Sequence, residues 1–320
     1  MPAAIASETL IDRVIEGERI TPEEALALYR FPLEELGALA DHRRKIALAE
    51  AYGGEGNDVV TYIIDRKLDE LTAAGGIQIL MQGGHHPSLT IDWYTDLLFH
   101  IREKYPHVNI HGFSPPEFTH FAEVFKMPLE EVIRRFKEAG LGSIPGGGGE
   151  ILVDSVRNRI APLKANSDQW LKVMEVAHGM GLNSSATMMF GHVETLEDRI
   201  EHLGRLRRQQ DETGGFTAFI CWTFQAENTK LRAEPVGSAE YLRMQALSRI
   251  YLDNITNVQS SWVTQGPKIG QVALRYGAND FGSVMMEENV VSKAGTSFRL
   301  ESQEIETLIK EAGYLSLIHI

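Results

Sequence analysis

Histidines, acids and glycine runs gather at a few points of this chain, and each point suggests a chemistry. The points are Gln82-Gly-Gly-His-His-Pro87, His111-Gly-Phe-Ser-Pro-Pro-Glu117, Pro145-Gly-Gly-Gly-Gly-Glu150, Gly191-His-Val-Glu194 and Trp222-Thr-Phe-Gln225. Gly83 and Gly84 would let backbone approach a ligand closely, because glycine has no side chain and tolerates positive φ. The run 146–149 is entropically costly, and its successive amides could cradle a carboxylate or phosphate. It is not the GxGxxG of a dinucleotide fold. His85, His86, His111 and His192, completed by Glu117, Glu150 or Glu194, could hold a metal for hydrolysis. They lack the tight HxH or HExxH spacing, so the same residues also read as hydrogen-bonding groups of a pocket. Cys221 lies in an apolar strand and reads as buried and inert. A single cysteine excludes an intramolecular disulfide framework and an all-cysteine metal site.

The elements that must position these groups alternate. Short apolar runs predict strands over 59–64, 77–81, 108–112, 142–144, 185–190, 216–222 and 258–260, with an eighth near 280–284. Longer amphipathic runs predict helices over 91–104, 129–139, 168–180, 196–210, 239–252, 269–276 and 302–312. About eight such units predict an α/β (βα)8 barrel, with an open doubly wound sheet as the alternative. Residues 1–55 read as a helical extension and 56–320 as the barrel with a C-terminal helical segment. Thr21-Pro-Glu-Glu is a helix start, with a Thr cap, Pro at the first position and acids in the first turn. In a parallel barrel, functional groups sit at the C-terminal strand ends, where all five motifs fall. One join is abrupt. The first strand ends at Asp65-Arg66 and a short helix over 67–74 begins at once, where a connection of about 2–6 residues is usual. The tail Leu315-Ser-Leu-Ile-His-Ile320 has no recognisable element logic.

The net charge of −13 repels phosphate backbones, and the densest basic cluster, Arg205-Leu-Arg-Arg208, falls on a helix face. Nucleic acid is not expected as a partner. No apolar run reaches the ~20 residues of a membrane span, and no secretory signal is legible, so neither membrane attachment nor export is expected and a cytoplasmic protein is.

Taken together, Gln82–Pro87, Ile110–Glu117, Ile144-Pro-Gly-Gly-Gly-Gly-Glu-Ile-Leu-Val-Asp154, Ala186-Thr-Met-Met-Phe-Gly-His-Val-Glu-Thr195 and Thr213–Gln225 resemble the cyclic dehypoxanthinyl futalosine synthase family. The resemblance runs from about residue 10 to 310. It implies a radical S-adenosylmethionine (SAM) barrel of the futalosine route to menaquinone, with a [4Fe-4S] cluster bound by CxxxCxxC. It also implies a nucleoside-like small-molecule substrate and an electron donor such as flavodoxin or ferredoxin. Carried over by position, Gly83, Gly84, Ser114, Glu117 and Glu150 would serve the cofactor, although His85 stands where the family's GGE motif has its acid. His86, His192 and Glu194 would serve the substrate, and no catalytic residue is assigned. The cysteine loop should follow the first strand, where the abrupt join stands, and it is absent. The resemblance therefore implies a cyclase, while the residues imply that this chain holds no cluster. A cluster-less nucleoside- or SAM-binding relative and a mononuclear metal hydrolase are the alternatives.

Overall fold

In the computed structural model, the described residues are 2–54, 57–65, 68–73, 75–83, 85–227, 229–285 and 298–318. The Arg66–Lys67 join, Gly84 and the last two residues of the tail fall outside them.

Three helices precede the sheet: α1 (Pro2–Ile15), α2 (Pro22–Leu28) and α3 (Leu33–Tyr52). Helix α2 begins as its sequence requires. The Thr21 side chain accepts the Glu24 amide and the Glu24 carboxylate accepts the Thr21 amide, which satisfies two donors that a helix start leaves open. Strand and helix then alternate: β1 (Val59–Asp65), α4 (Leu68–Ala73), β2 (Gln78–Met81), α5 (Ile91–Lys104), β3 (Asn109–Gly112) and the helix pair α6 (Pro115–Phe125) and α7 (Leu129–Ala139). Next come β4 (Ser143–Ile144), α8 (Asp154–Ile160), α9 (Ser167–Gly179), β5 (Asn183–Phe190), α10 (Leu196–Thr213) and β6 (Phe216–Thr223). The last part holds α11 (Ser238–Tyr251), β7 (Asn257–Gln259), α12 (Trp262–Gln265), α13 (Pro267–Ala273), β8 (Asp280–Met285), α14 (Ser302–Glu311) and β9 (Leu315–Ile318).

All strand pairs are parallel, in the order β2-β3-β4-β5-β6-β7-β8-β1-β9. The eight expected strands are present in barrel order, and β8 returns to β1 as a (βα)8 fold requires. The tail departs from its sequence reading. Leu315–Ile318 forms a ninth strand on the other edge of β1, with Val59 opposite Leu315 and Tyr62 opposite Ile318. An unpaired strand edge is a row of open N–H and C=O groups, and this β-forming segment covers it. Among the described residues, no ladder joins β1 to β2.

Alternation along the strands separates two environments. On β5, Ser184, Ala186, Met188 and Phe190 are buried toward the helices, while Ser185 and Thr187 face the barrel interior. On β6, Phe219 and Cys221 are buried outward, while Ala218, Ile220 and Trp222 face inward. The main apolar core is thus the layer between strands and helices, and the interior mixes polar groups with apolar ones. No helix among the described residues is long and apolar enough to cross a membrane.

One buried cation fixes β7 against β8. Arg249 of α11 is 1% exposed. Its guanidinium donates to the carbonyls of Gly277 (2.8 Å), Ile255 (3.2 Å) and Thr256 (3.0 Å) and to Asn279 Oδ1. Asn279 in turn donates to Asn257 Oδ1 (2.8 Å) and accepts the Val258 amide (2.9 Å). Arg249→Met would leave several buried acceptors without donors, each costing about 1–3 kcal/mol. The variant is expected to lose about 3 kcal/mol or more of stability, read from the urea midpoint; an unchanged midpoint would show that the network carries no weight.

Candidate active site

The barrel interior holds a chamber of about 330 Å³. Gln82, Pro145, Gly146, Gly147 and Trp222 form its mouth at the C-terminal strand ends, and Gln78, Ser143, Thr217 and Asp280, near the strand starts, form its floor, with Gln259, the last residue of β7, also lining it. His111 stands between them. Burial pushes its pKa down to about 4, so it is neutral at pH 7. Its Nδ1 lies 2.7 Å from Ser143 Oγ. Asn109 donates to both Gln78 Oε1 (2.8 Å) and Ser143 Oγ (2.9 Å), which locks the floor's amides and hydroxyls.

The glycine run at the mouth is a packed element, not a loose loop. A Cβ at Gly146 would lie 2.7 Å from the Ser185 carbonyl oxygen, and one at Gly149 would lie 2.6 Å from that of Thr187. Gly148 has φ +73°, and a Cβ there would lie 2.9 Å from Pro116 Cδ. The run's carbonyls are held from outside. Thr187 Oγ1 donates to Gly146 (2.6 Å), Trp170 Nε1 to Gly147 (3.2 Å), and Arg157 to Gly148 (3.0 Å) and Gly149 (2.7 Å). Ser185 Oγ accepts the Gly146 amide at 3.0 Å.

Ser114 and Glu117 start α6. Glu117 Oε2 accepts the Ser114 amide (2.8 Å) and hydroxyl (2.7 Å), and its Oε1 accepts the Gly83 amide (3.0 Å). This carboxylate therefore clamps the end of β2 to the start of α6, beside the mouth. Glu150 is 7% exposed, has φ +43°, and pairs with Lys164 Nζ at 2.8 Å. His86 lies on the exposed β2–α5 connection, where its Nδ1 accepts the Ser88 and Leu89 amides (both 3.3 Å). His192 and Glu194 are buried together. His192 Nδ1 lies 2.8 Å from Glu194 Oε2, and Glu194 Oε1 accepts Arg199 Nε (2.9 Å) and the Gly191 amide (2.6 Å). Burial would raise the Glu194 pKa, but hydrogen bonds from His192 and the Gly191 amide outweigh it and hold it at about 2.

The structure places the histidines of the metal reading at separate points. His111 lines the chamber, His192 is enclosed with Glu194, and His85 stacks on His120 at 4.5 Å near the exposed connection. Among the described residues, no three metal-binding side chains come together. Cys221 is buried as expected, on the face of β6 turned away from the chamber. Its Sγ lies 3.2 Å from Gln245 Oε1, and burial pushes its pKa up to about 12.

Sequence reasoning missed the floor. Gln78, Gln259 and Asp280 sit inside or at the ends of strands, away from the glycine- and histidine-rich motifs. The usable signal was polar residues at alternate strand positions, such as Ser185 and Thr187, where a filled barrel would place aliphatic ones.

A radical SAM superfamily model matches residues 44–206, and a model of the CofH/MqnC C-terminal region matches 213–319. The cyclic dehypoxanthine futalosine synthase of Halalkalibacterium halodurans is 43% identical over 95% of this chain and 90% of its own length. That of Streptomyces coelicolor is 41% identical over 96% and 85%. The aminodeoxyfutalosine synthase of Thermus thermophilus is 34% identical over 95% and 91%. The alignment with the Halalkalibacterium protein runs over 335 positions, more than the 320 residues of this chain. That relative therefore carries residues with no counterpart here. In fold, the chain is similar to the methylornithine synthase PylB, with a TM-score of 0.70 at 14% identity over 96% of this chain and 97% of that one.

Two outcomes follow from the geometry. Gly146→Ala drives a Cβ into the β5 backbone and is expected to cost about 1–3 kcal/mol, read as a lowered Tm; an unshifted Tm would mean that the loop yields freely. Glu194 is held below its ordinary 4.5, so its contribution is complete above that pH and drains away as pH falls toward about 2. The contribution is on the order of 3 kcal/mol. Glu194→Gln is therefore expected to be less stable at neutral pH and to lack most of the wild-type loss between pH 4.5 and 2 in urea titrations. Parallel pH curves for the two proteins would contradict this.

Proposed function

This chain belongs to the radical SAM superfamily and, within it, to the cyclic dehypoxanthine futalosine synthase family, and from that premise we propose that it keeps the family's ligand chamber without its radical chemistry. One observation carries the proposal. The chamber mixes apolar walls with amide, hydroxyl and imidazole groups, yet the chain's single thiol is buried on the face of β6 turned away from it. The superfamily implies SAM and a [4Fe-4S] cluster. Such a cluster is held by several thiolates, and Cys221, with its pKa near 12, supplies none. The donor set does not fit the cluster, so no radical step is assigned to this chain, and no flavodoxin or ferredoxin is needed.

The chamber's own groups suit a hydroxyl-bearing ligand such as the nucleoside-like substrate of the cyclases. Gln78, Gln82 and Gln259 offer amide donors and acceptors, and Trp222 offers an aromatic wall. On this reading Gly83, Ser114, Glu117 and Glu150 shape the SAM side of the mouth. Glu117 acts there by holding the Gly83 backbone. His86, His192 and Glu194 act as positioning residues for the substrate side, since His192 and Glu194 bond each other. Gly84 is assigned to the SAM side by its place in the motif alone.

The test is direct. The chain, reconstituted anaerobically with iron and sulfide, is given SAM, dithionite and dehypoxanthine futalosine. No 5′-deoxyadenosine and no cyclised product are expected by mass spectrometry, while calorimetry is expected to show nucleoside binding by the iron-free protein. Turnover would overturn the loss of radical chemistry, and failure to bind any nucleoside would overturn the chamber's assignment.

A further inference from the structure

His111 is the one imidazole in the chamber wall among the described residues. It stands on β3, opposite Ser143 in the ladder to β4. Burial keeps its ring neutral, so one of its two nitrogens carries a proton and the other accepts. Which does which is fixed by the hydrogen bonds around the ring. Nδ1 meets the Ser143 hydroxyl at 2.7 Å. Ser143 Oγ also accepts from Asn109 Nδ2 at 2.9 Å, and the same amide nitrogen donates to Gln78 Oε1 at 2.8 Å. With that amide reversed, both hydrogens would turn toward Gly142 and away from these two oxygens. A hydroxyl has one proton to give. Among the described residues the Ser143 hydroxyl meets no other acceptor, so its proton points at His111 Nδ1. Nδ1 is then the accepting nitrogen, and Nε2 carries the hydrogen. Nε2 has no hydrogen-bond partner among the described residues, and it is not sealed from solvent. The open space that this ring lines is the chamber.

We propose that Gln78, Asn109 and Ser143 lock His111 as a hydrogen-bond donor, and that its Nε2–H recognises an acceptor atom of the nucleoside, an oxygen or a ring nitrogen, inside the chamber. This rests on the reading of the chamber as nucleoside-binding and adds a residue that selects within that class. A ligand with no acceptor at this place would take water from the N–H without replacing its bond, and a donor so stranded discriminates against that ligand.

Nitrogen-15 NMR of the ligand-free chain, labelled at histidine, tests the lock. His111 is expected as the Nε2–H tautomer, its signals identified by their loss in His111→Gln, and Ser143→Ala is expected to bring in the Nδ1–H form. A predominant Nδ1–H form in the wild type would overturn the lock, whether or not a nucleoside binds. Calorimetry with dehypoxanthine futalosine tests the recognition. His111→Phe is expected to weaken binding about tenfold, and His111→Gln, whose amide keeps an N–H, to restore most of it. Saturating ligand is expected to move the wild-type Nε2–H proton resonance downfield. Circular dichroism checks that each variant folds, and the resonance decides alone if His111→Phe does not. Unchanged affinity in folded His111→Phe, or a resonance that the bound ligand leaves in place, would overturn the recognition while leaving the nucleoside reading intact. Absence of binding by the wild type would overturn the nucleoside reading and the recognition together.

Discussion

The backbone at Gly146 and Gly149 runs too close to β5 for any side chain, and the rest of the site depends on that closeness. With no Cβ at Gly146 or Gly149, the loop lies against the carbonyls of Ser185 and Thr187. Arg157 and Trp170 hold its carbonyls from behind, and Arg157 is itself buried at 2% exposure. The entropic cost of four glycines is thereby offset by a fixed rim. Pro116 and Ser114 press on the same rim from the start of α6, where Glu117 also gathers Gly83. Three strand ends are thus tied into one mouth by backbone contacts.

A barrel with an open chamber in its interior forgoes part of the side-chain filling that usually stabilises this fold. Stability has to come from the outer layer. There Trp170, Phe118, Phe121, Phe136, Phe190 and Phe219 are fully buried between strands and helices. Polar groups in that layer are matched locally. His178 meets Ser184 and Thr213 with both ring nitrogens, each at 2.7 Å. Burial pushes its pKa down to about 4, so it stays neutral. The interior then carries Gln78, Gln259 and Asp280 beside apolar side chains such as Leu80 and Ile220.

The sequence revealed the scaffold better than the site. Apolar periodicity placed all eight barrel strands, and the bounds of α5 and α7 matched residue for residue. Cap chemistry at Thr21 needs only neighbouring residues, so it could be read directly. What escaped depends on distant partners. The Leu315–Ile318 strand is made by the open edge of β1, more than 200 residues away. Glu194 looked like a ligand contact because acids at strand ends often are. The structure adds its partners Arg199 and His192, beside which its side chain is buried. Asp280 escaped because nothing in its local sequence says that Gln259, its neighbour on β7, lines the same cavity.

A thiolate is what this family's chemistry needs and what this chamber lacks. Ring nitrogens, amides and carboxylates are all placed around the barrel, but the sole thiol lies beside Gln245 of α11. The most direct measurement is iron and acid-labile sulfide per chain after anaerobic reconstitution and desalting, followed by low-temperature electron paramagnetic resonance of the reduced sample with SAM. The account predicts no stoichiometric iron and no reduced-cluster signal. About four irons per chain, with a signal that changes when SAM is added, would contradict it.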